Sequence, residues 1–192
     1  MRPIPPGVRT ILIATIASFM LEIAVGDSLI ASLALWPLNG YFMPWQIVTY
    51  AFLHGSLMHL AFNMYGLWMF GSEVEYLLGR RAFLRLYFGS VLSAGFTQLL
   101  VTSFTGGTYP TVGASGGLFG LLLAFGMIFP NRIIVLLIPP IPLPARLFVI
   151  LYAGVELLLG VTGTLAGVAH FAHLGGMLGG YMVIRRWMRR VR

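Results

Sequence analysis

The sequence predicts an all-α membrane protein, a single domain over residues 1–192 built as a bundle of six transmembrane helices. Hydrophobic residues make up 58% of the chain and charged residues only 9%, whereas about a quarter of a soluble domain is charged. Apolar stretches follow one another along the sequence, and the basic residues lie at their ends. Because so apolar a surface needs lipid to cover part of it, we expect an integral, multi-pass membrane protein.

The first span is expected at residues 8–25. Arg2 and Arg9 precede it as in a signal peptide, but the apolar run continues without a clear cleavage site, so a retained helix is favoured. A long aromatic and proline-rich connection follows over residues 26–53 and includes Asn39 and Gly40. It is expected to lie partly in the membrane interface, where Trp and Tyr are enriched.

The five remaining spans follow from the other apolar runs. A Gly/Thr loop over residues 105–112 separates the third span from the fourth. Residues 133–144 are apolar as well, but their four prolines exclude a helix of spanning length, so we interpret them as a connector. The predicted spans are residues 57–77, 82–103, 115–129, 145–160 and 167–184, and the connector prolines are Pro139, Pro140, Pro142 and Pro144.

The arginines give the orientation. All twelve basic residues are Arg, and they occur only at the two ends of the chain and in alternate loops. By the positive-inside rule both termini are cytoplasmic, which requires an even number of spans. Arginines at helix ends suit an anionic membrane surface, and nucleic acid is not expected as a partner. These residues are Arg2, Arg9, Arg80, Arg81, Arg85, Arg132, Arg146, Arg185, Arg186, Arg189, Arg190 and Arg192.

Three polar side chains on three spans share one depth. With a helix rise of about 1.5 Å per residue, Ser115, His173 and Asn63 lie about 21, 18 and 22 Å above the cytoplasmic ends of their spans. The hydrocarbon core is about 30 Å thick, so this level is recessed from the outer surface. Polar groups at such depth are functional candidates.

The residue types at this level suit acyl transfer. Histidine is the usual base for a serine nucleophile, and a developing oxyanion needs hydrogen-bond donors. His59 and Asn63, four residues apart, share one helix face and both can donate. His54 is expected to brace the preceding loop. Glycines in spans four and six, including two overlaid GxxxG pairs, allow close helix contact; they are Gly113, Gly116, Gly117, Gly120, Gly175, Gly176, Gly179 and Gly180.

These motifs resemble those of the rhomboid family of intramembrane serine proteases. The resemblance rests on a GxSG motif at residues 113–116, an AHxxGxxxG pattern at 172–180, an HxxxxHxxxN pattern at 54–63 and a Phe-Pro-Asn-Arg turn at 129–132. It implies that Ser115 is the nucleophile and His173 the base, with His59, Asn63 and the Ser115 N–H at the oxyanion site. The supporting residues it implies are His54, Gly113, Gly116, Gly176 and Phe119, whose ring is expected against His173.

One departure and several side chains bear on this interpretation. The family's first loop usually carries Trp-Arg, whereas this chain has Trp45-Gln46, which puts the loop's contacts in doubt. Glu73 and Glu75 are interpreted as partners of Arg80, Arg81 or Arg85, and His170 as a loop-end or packing residue. Thr97 and Gln98 are expected to help hold water near the site.

Other chemistries fit less well. A nucleophile elbow needs a preceding strand and an acid between Ser and His; a loop precedes Ser115, and the only such acid, Glu156, falls inside span five. A Ser–His dyad without a carboxylate is therefore the interpretation. The chain has no Cys and no HExxH motif, and no intramembrane carboxylate is expected near the histidines, so neither a metal nor another cofactor is expected.

The predicted function is hydrolysis of peptide bonds in or near transmembrane segments of other membrane proteins. A substrate helix is expected to enter laterally, past span five. Partners are therefore such substrates and membrane lipid, in what we interpret as a bacterial cytoplasmic membrane. The alternative is a catalytically silent relative that binds or escorts membrane clients. A channel or transporter is disfavoured because paired broken helices are missing from the sequence.

Reporter fusions test the orientation. A cytoplasmic reporter joined after Arg192 should be active and a periplasmic one inactive, because the arginine-rich loops stay on the cytoplasmic side. An exported C-terminus would contradict the six-span arrangement and the shared depth of Ser115, His173 and Asn63.

Overall fold

The computed structural model describes residues 2–38, 41–135, 140–164 and 168–191. Parts of the sequence-based expectations lie outside these ranges. They are Asn39 and Gly40 in the first connection, Pro139 in the connector, Gly167 at the start of the sixth expected span, and Arg192.

Helices dominate the described part of the chain. The long second helical rod starts as α4, passes through a π-helical turn at Leu67–Gly71 and ends as α5, before Gly79 at φ 77°. A 3₁₀ turn covers Tyr50–Phe52. The helices are α1 Pro6–Val25, α2 Asp27–Leu33, α3 Gln46–Thr49, α4 Leu57–Gly66, α5 Ser72–Leu78, α6 Arg80–Thr105, α7 Ser115–Ile128, α8 Ala145–Thr162 and α9 His170–Val191.

Six helical rods of the described chain lie where the sequence predicts spans: α1, α4–α5, α6, α7, α8 and α9. Three of them, α1, α6 and α8, are long and apolar enough by themselves to cross a membrane. The apolar α7 has only 14 residues, about 21 Å at the usual helix rise. A helix this short starts inside a layer of about 30 Å rather than at its edge.

The first connection is more ordered than a loop, because it contains α2, α3 and the 3₁₀ turn. Gln46 organises it from a fully buried position. Its Oε1 accepts from the N–H groups of Trp36 and Met43, at 3.3 and 3.1 Å. Its amide nitrogen lies 3.4 and 3.3 Å from the carbonyl oxygens of Ser32 and Tyr41. A neutral amide, Gln46, therefore joins several backbone groups of the first connection.

Glu75 has a different role from the one predicted. Its carboxylate accepts hydrogen bonds from the N–H groups of Gly7 and Val8, both at 2.7 Å. These are orphan donors in the first turn of α1, where a negative charge is stabilising. Among the described residues, neither Glu75 nor Glu73 forms an ion pair with an arginine. The expected pairing was therefore wrong, because the start of α1 lies nearer to Glu75 than the arginines do.

The centre of the bundle is formed by α6, α7 and α9, which pack through glycines. A Cβ added at Gly180 of α9 would lie 2.6 Å from the Cα of Gly120 of α7. Gly176 faces the backbone of Gly116 in the same way, one turn earlier. Gly179 lies against Ser93 of α6, where an added Cβ would come within 2.5 Å. The backbones of α7 and α9 touch at these glycines, and α6 packs on α9 so closely that Gly179 has no room for a Cβ.

The proline-rich connector forms a small antiparallel hairpin, β1 Ile133–Val135 with β2 Pro142–Pro144. The N–H groups of Ala145 and Arg146 donate to the backbone carbonyl oxygens of Arg132 and Pro130, at 2.8 and 3.1 Å. This hairpin ties the end of α7 to the start of α8. The described residues of the connector, 133–135 and 140–144, thus form no spanning helix, in agreement with their proline content.

The glycine contacts make a stability prediction. Gly180→Ala should lower the free energy of unfolding by about 1–3 kcal/mol, because the methyl group would force α9 away from α7. Thermal unfolding in detergent micelles measures the change. Gly154→Ala is the matched control, since a Cβ at Gly154 of α8 meets nothing within 4 Å. Equal melting temperatures for the two variants would contradict the close contact.

Candidate active site

Ser115 is the first residue of α7, and the loop before it is fixed from two sides. Thr111 forms paired backbone hydrogen bonds with Leu35 of the first connection, at 2.9 and 3.0 Å. The Gly113 N–H donates to the Tyr50 carbonyl at 2.9 Å. Gly113 has a φ of 129°, a conformation that favours glycine. The first connection therefore sets the height and direction at which α7 starts.

His54 supports the same loop through its ring. The Ala114 N–H donates to His54 Nε2 at 3.4 Å, a long bond, and the His54 side chain is almost fully buried. Burial lowers the pKa of His54 to about 4, so the ring is neutral near pH 7 and Nε2 can accept. The structure thus places His54 beside the serine loop rather than against the Ser115 hydroxyl.

Ser115 and His173 meet directly. The Ser115 Oγ and His173 Nε2 atoms are 2.8 Å apart. The Phe119 ring lies parallel to the His173 ring, with 4.2 Å between centroids and 7° between planes. The hydroxyl is therefore within reach of a ring nitrogen whose plane is held by an aromatic neighbour.

A carboxylate also reaches His173, contrary to the dyad interpretation. Glu156 Oε2 lies 2.9 Å from His173 Nδ1 and 2.7 Å from His170 Nδ1. The Glu156 side chain is only 6% exposed. Glu156 lies inside the fifth helix, as expected, but the expectation that it lies apart from the site was wrong, since α8 turns this residue toward α9. His170 is likewise more than a packing residue, because its ring shares the same carboxylate oxygen.

Glu156, His170 and His173 also form a possible metal-binding cluster, with one ligand atom from each residue within 4.8 Å of the others. The expectation of no metal rested on the lack of a carboxylate near the histidines, and that premise was wrong. Around Zn²⁺, ligand atoms at about 2.0–2.1 Å from the ion stand about 3.3 Å apart. The two Nδ1–Oε2 distances are shorter and fit direct hydrogen bonds instead.

His59 and Asn63 face the serine from α4. The His59 ring packs on Gly113, where an added Cβ would lie 2.8 Å from its Cε1 atom. The His59 and His54 ring centroids are 4.9 Å apart. Asn63 donates to the His59 carbonyl at 2.9 Å, and its amide nitrogen has a second hydrogen for another acceptor. Both side chains line the same cavity as Ser115 and His173.

That cavity has a volume of about 1250 Å³. Part of its lining consists of polar residues of α6, including Gln98, Thr102 and Thr105. Apolar residues of α4, α7, α8 and the hairpin line the rest, including Phe62, Leu118, Phe148, Tyr152 and Ile134. Thr97, expected to help hold water, instead donates to the Ser93 carbonyl in its own helix. The cavity that holds the reacting pair is therefore lined by both polar and apolar side chains.

Comparison with known proteins gives a consistent result. A family model described as a Rhomboid domain matches residues 41–190. The chain is 34% identical over 149 residues to Rhomboid protein 1, mitochondrial, of Saccharomyces cerevisiae, covering 71% of this chain and 40% of that protein. It is 32% identical over 187 residues to Rhomboid protease GlpG of Yersinia pestis, covering 93% of this chain and 61% of that protein.

A further relative is Rhomboid protease GluP of Bacillus subtilis, with 33% identity over 138 residues, 71% of this chain and 25% of that protein. The matches thus span between a quarter and about three fifths of these relatives' lengths.

Proposed function

The chain belongs to the rhomboid family, and on this premise we propose that it is an intramembrane serine endopeptidase. It hydrolyses peptide bonds in or near the transmembrane segments of other membrane proteins. The observation that carries the proposal is the 2.8 Å contact of Ser115 Oγ with His173 Nε2 inside the bundle. The names of two relatives, both called rhomboid proteases, support the same activity.

The reaction starts at Ser115. His173 Nε2 takes the hydroxyl proton while Oγ forms a bond to the scissile carbonyl carbon. The same proton then passes to the leaving amide nitrogen as the C–N bond breaks and an acyl-enzyme remains. A water molecule, deprotonated by His173, attacks the ester, and the proton returns to Ser115 Oγ. The stacked Phe119 ring keeps the His173 plane in line for both transfers.

Donors from α4 and α7 stabilise the oxyanion. The Ser115 N–H is at the start of α7, where helix N–H groups have no intrahelical acceptor. Asn63 supplies an amide hydrogen and His59 a ring nitrogen from the opposite wall. Such donors stabilise the transition state more than the bound substrate, because charge on the oxygen develops only during the reaction.

The cavity suggests how substrate and water reach Ser115. Exposed apolar side chains cover the outer face of α8, including Leu151, Val155 and Leu158, and the cavity lining includes Phe62 of α4 and Tyr152 of α8. A substrate helix enters between α4 and α8 from the lipid and unwinds beside Ser115, because backbone in an intact helix is sealed from attack. Water enters past Gln98 and Thr102.

The proposed site of action is a bacterial cytoplasmic membrane, with both termini on the cytoplasmic side and lipid around α1 and α8. A silent relative that escorts membrane clients is the second candidate. The hydrogen-bonded Ser115 and His173 disfavour it, because client binding alone requires no base beside a serine.

Substitution of the reacting pair tests the activity. Ser115→Ala should abolish cleavage of single-span substrates in liposomes without lowering the melting temperature, because the hydroxyl supports no other described contact than that with His173. His173→Ala should abolish cleavage and also the labelling of Ser115 by a fluorophosphonate. Turnover by purified Ser115→Ala protein, or full labelling without His173, would contradict the proposed roles.

Asn63→Ala tests the oxyanion site. Loss of one such donor costs about 10²–10³ in kcat, so kcat should fall by this factor while KM changes little. A packing role predicts the reverse: the protein would melt at a lower temperature, and the folded fraction would keep its kcat. Met64→Ala is the matched control, since it removes a neighbouring buried side chain of α4 that carries no donor.

A further inference from the structure

Glu156 and His170 have no part in a Ser–His dyad, although both are buried beside the base. An ionised carboxylate deep in a bundle is costly unless it is paired and hydrogen-bonded. Glu156 is bonded through Oε2 to two rings at once, His170 at 2.7 Å and His173 at 2.9 Å. The chain therefore places a charge on the far side of the base from the nucleophile.

The hydrogen bonds define where the protons are. His173 must leave Nε2 unprotonated to accept from Ser115, so its proton is on Nδ1 and points to Glu156. His170 has an acceptor at both nitrogens, the Glu156 carboxylate at Nδ1 and the Thr164 carbonyl at Nε2, 3.2 Å away. A carbonyl only accepts. Both bonds of His170 are therefore satisfied when this ring carries two protons and is a cation beside an ionised Glu156.

We propose that Glu156 is a positioning residue that turns the dyad into a Ser115–His173–Glu156 triad, with His170 as the counter-ion of the carboxylate. This inference rests on the proposed function. Glu156 accepts the Nδ1 proton, which fixes the His173 tautomer and keeps Nε2 directed at Ser115. When Nε2 takes the serine proton, the carboxylate stabilises the resulting imidazolium and itself stays unprotonated, as in soluble triads.

Two features of the cluster favour a triad over a purely structural brace. His173 is held by Ser115, Phe119 and Glu156 from three different directions, so the ring has one orientation. The titratable groups facing it are Glu156 from α8, His170 from its own helix and the His59 ring from α4. Glu156 is thus the one anion among the described residues placed to stabilise a positive His173.

The test compares Glu156→Gln with Glu156→Asp. Glu156→Gln should lower kcat by about 10²–10⁴-fold, the upper value being the loss when the acid of a soluble triad is neutralised, while KM changes little. Fluorophosphonate labelling of Ser115 should slow in parallel, because that reaction also needs the base. Glu156→Asp keeps the charge and should recover part of both rates. Glu75→Gln is the matched control, a buried glutamate whose bonds go only to α1.

A spectroscopic measurement tests the geometry without activity. In the Ser115→Ala protein the His173 Nδ1 proton should give a strongly downfield proton resonance, which Glu156→Gln removes. Retention of this resonance in the Glu156→Gln background would overturn the proposal. A wild-type kcat for Glu156→Gln would also overturn the proposal. The same holds if Glu156→Gln loses cleavage while Ser115 is still labelled at the wild-type rate, since the base would then be intact.

Removal of metal ions tests whether Glu156, His170 and His173 bind a metal instead of forming a triad with Ser115. Dialysis of the wild-type protein against EDTA should leave the rate unchanged; a rate lost to EDTA and restored by Zn²⁺ would assign Glu156, His170 and His173 to a metal and overturn the triad. If the wild type neither cleaves nor labels, the proposed function fails instead, and the resonance still reports whether Glu156 binds His173.

Discussion

The close approach of α7 and α9 is the constraint on which the remainder of the structure depends. Lipid gives helices no hydrophobic reason to associate, so tight packing of small residues must hold them together. At Gly116 with Gly176, and at Gly120 with Gly180, the two backbones touch. Ser115 and His173 lie within one turn of the first of these contacts, so the same closeness that stabilises the bundle sets the 2.8 Å between their side chains. The glycine contacts between α7 and α9 therefore determine both the packing of the bundle and the position of the reacting pair.

A second constraint follows from the length of α7. Because this helix is too short to cross the bilayer, the chain before it descends into the bundle without helical hydrogen bonds, and its backbone groups need other partners. Leu35, Tyr50 and His54 supply them. All three belong to the first connection or its end, which the buried Gln46 organises. A segment far from Ser115 in sequence therefore determines where the nucleophile stands.

Much of this was predictable from the sequence, and the failures share one cause. Apolar runs and prolines predicted the helices, and equal depth predicted that Ser115, His173 and Asn63 lie together; the structure shows the contact of Ser115 with His173 and places Asn63 in the lining of the same cavity. Depth along a helix follows from counting residues, but the direction a side chain takes around the helix depends on how neighbours pack. Glu75 and Glu156 were both misjudged for this reason. A carboxylate inside an apolar span is costly in free energy. This cost was the signal in the sequence that Glu156 needs a partner.

The inferred proton distribution explains how such a site handles charge where water is scarce. At rest the cation on His170 balances the anion on Glu156, so the cluster is neutral as a whole. In the proposed attack by Ser115, a positive charge appears on His173 and a negative one on the substrate oxygen, both inside the bundle. In a medium of low dielectric constant their attraction is far stronger than in water. The reaction thus creates a compact ion pair, with Glu156 beside its positive end and the donors of α4 and α7 around its negative end.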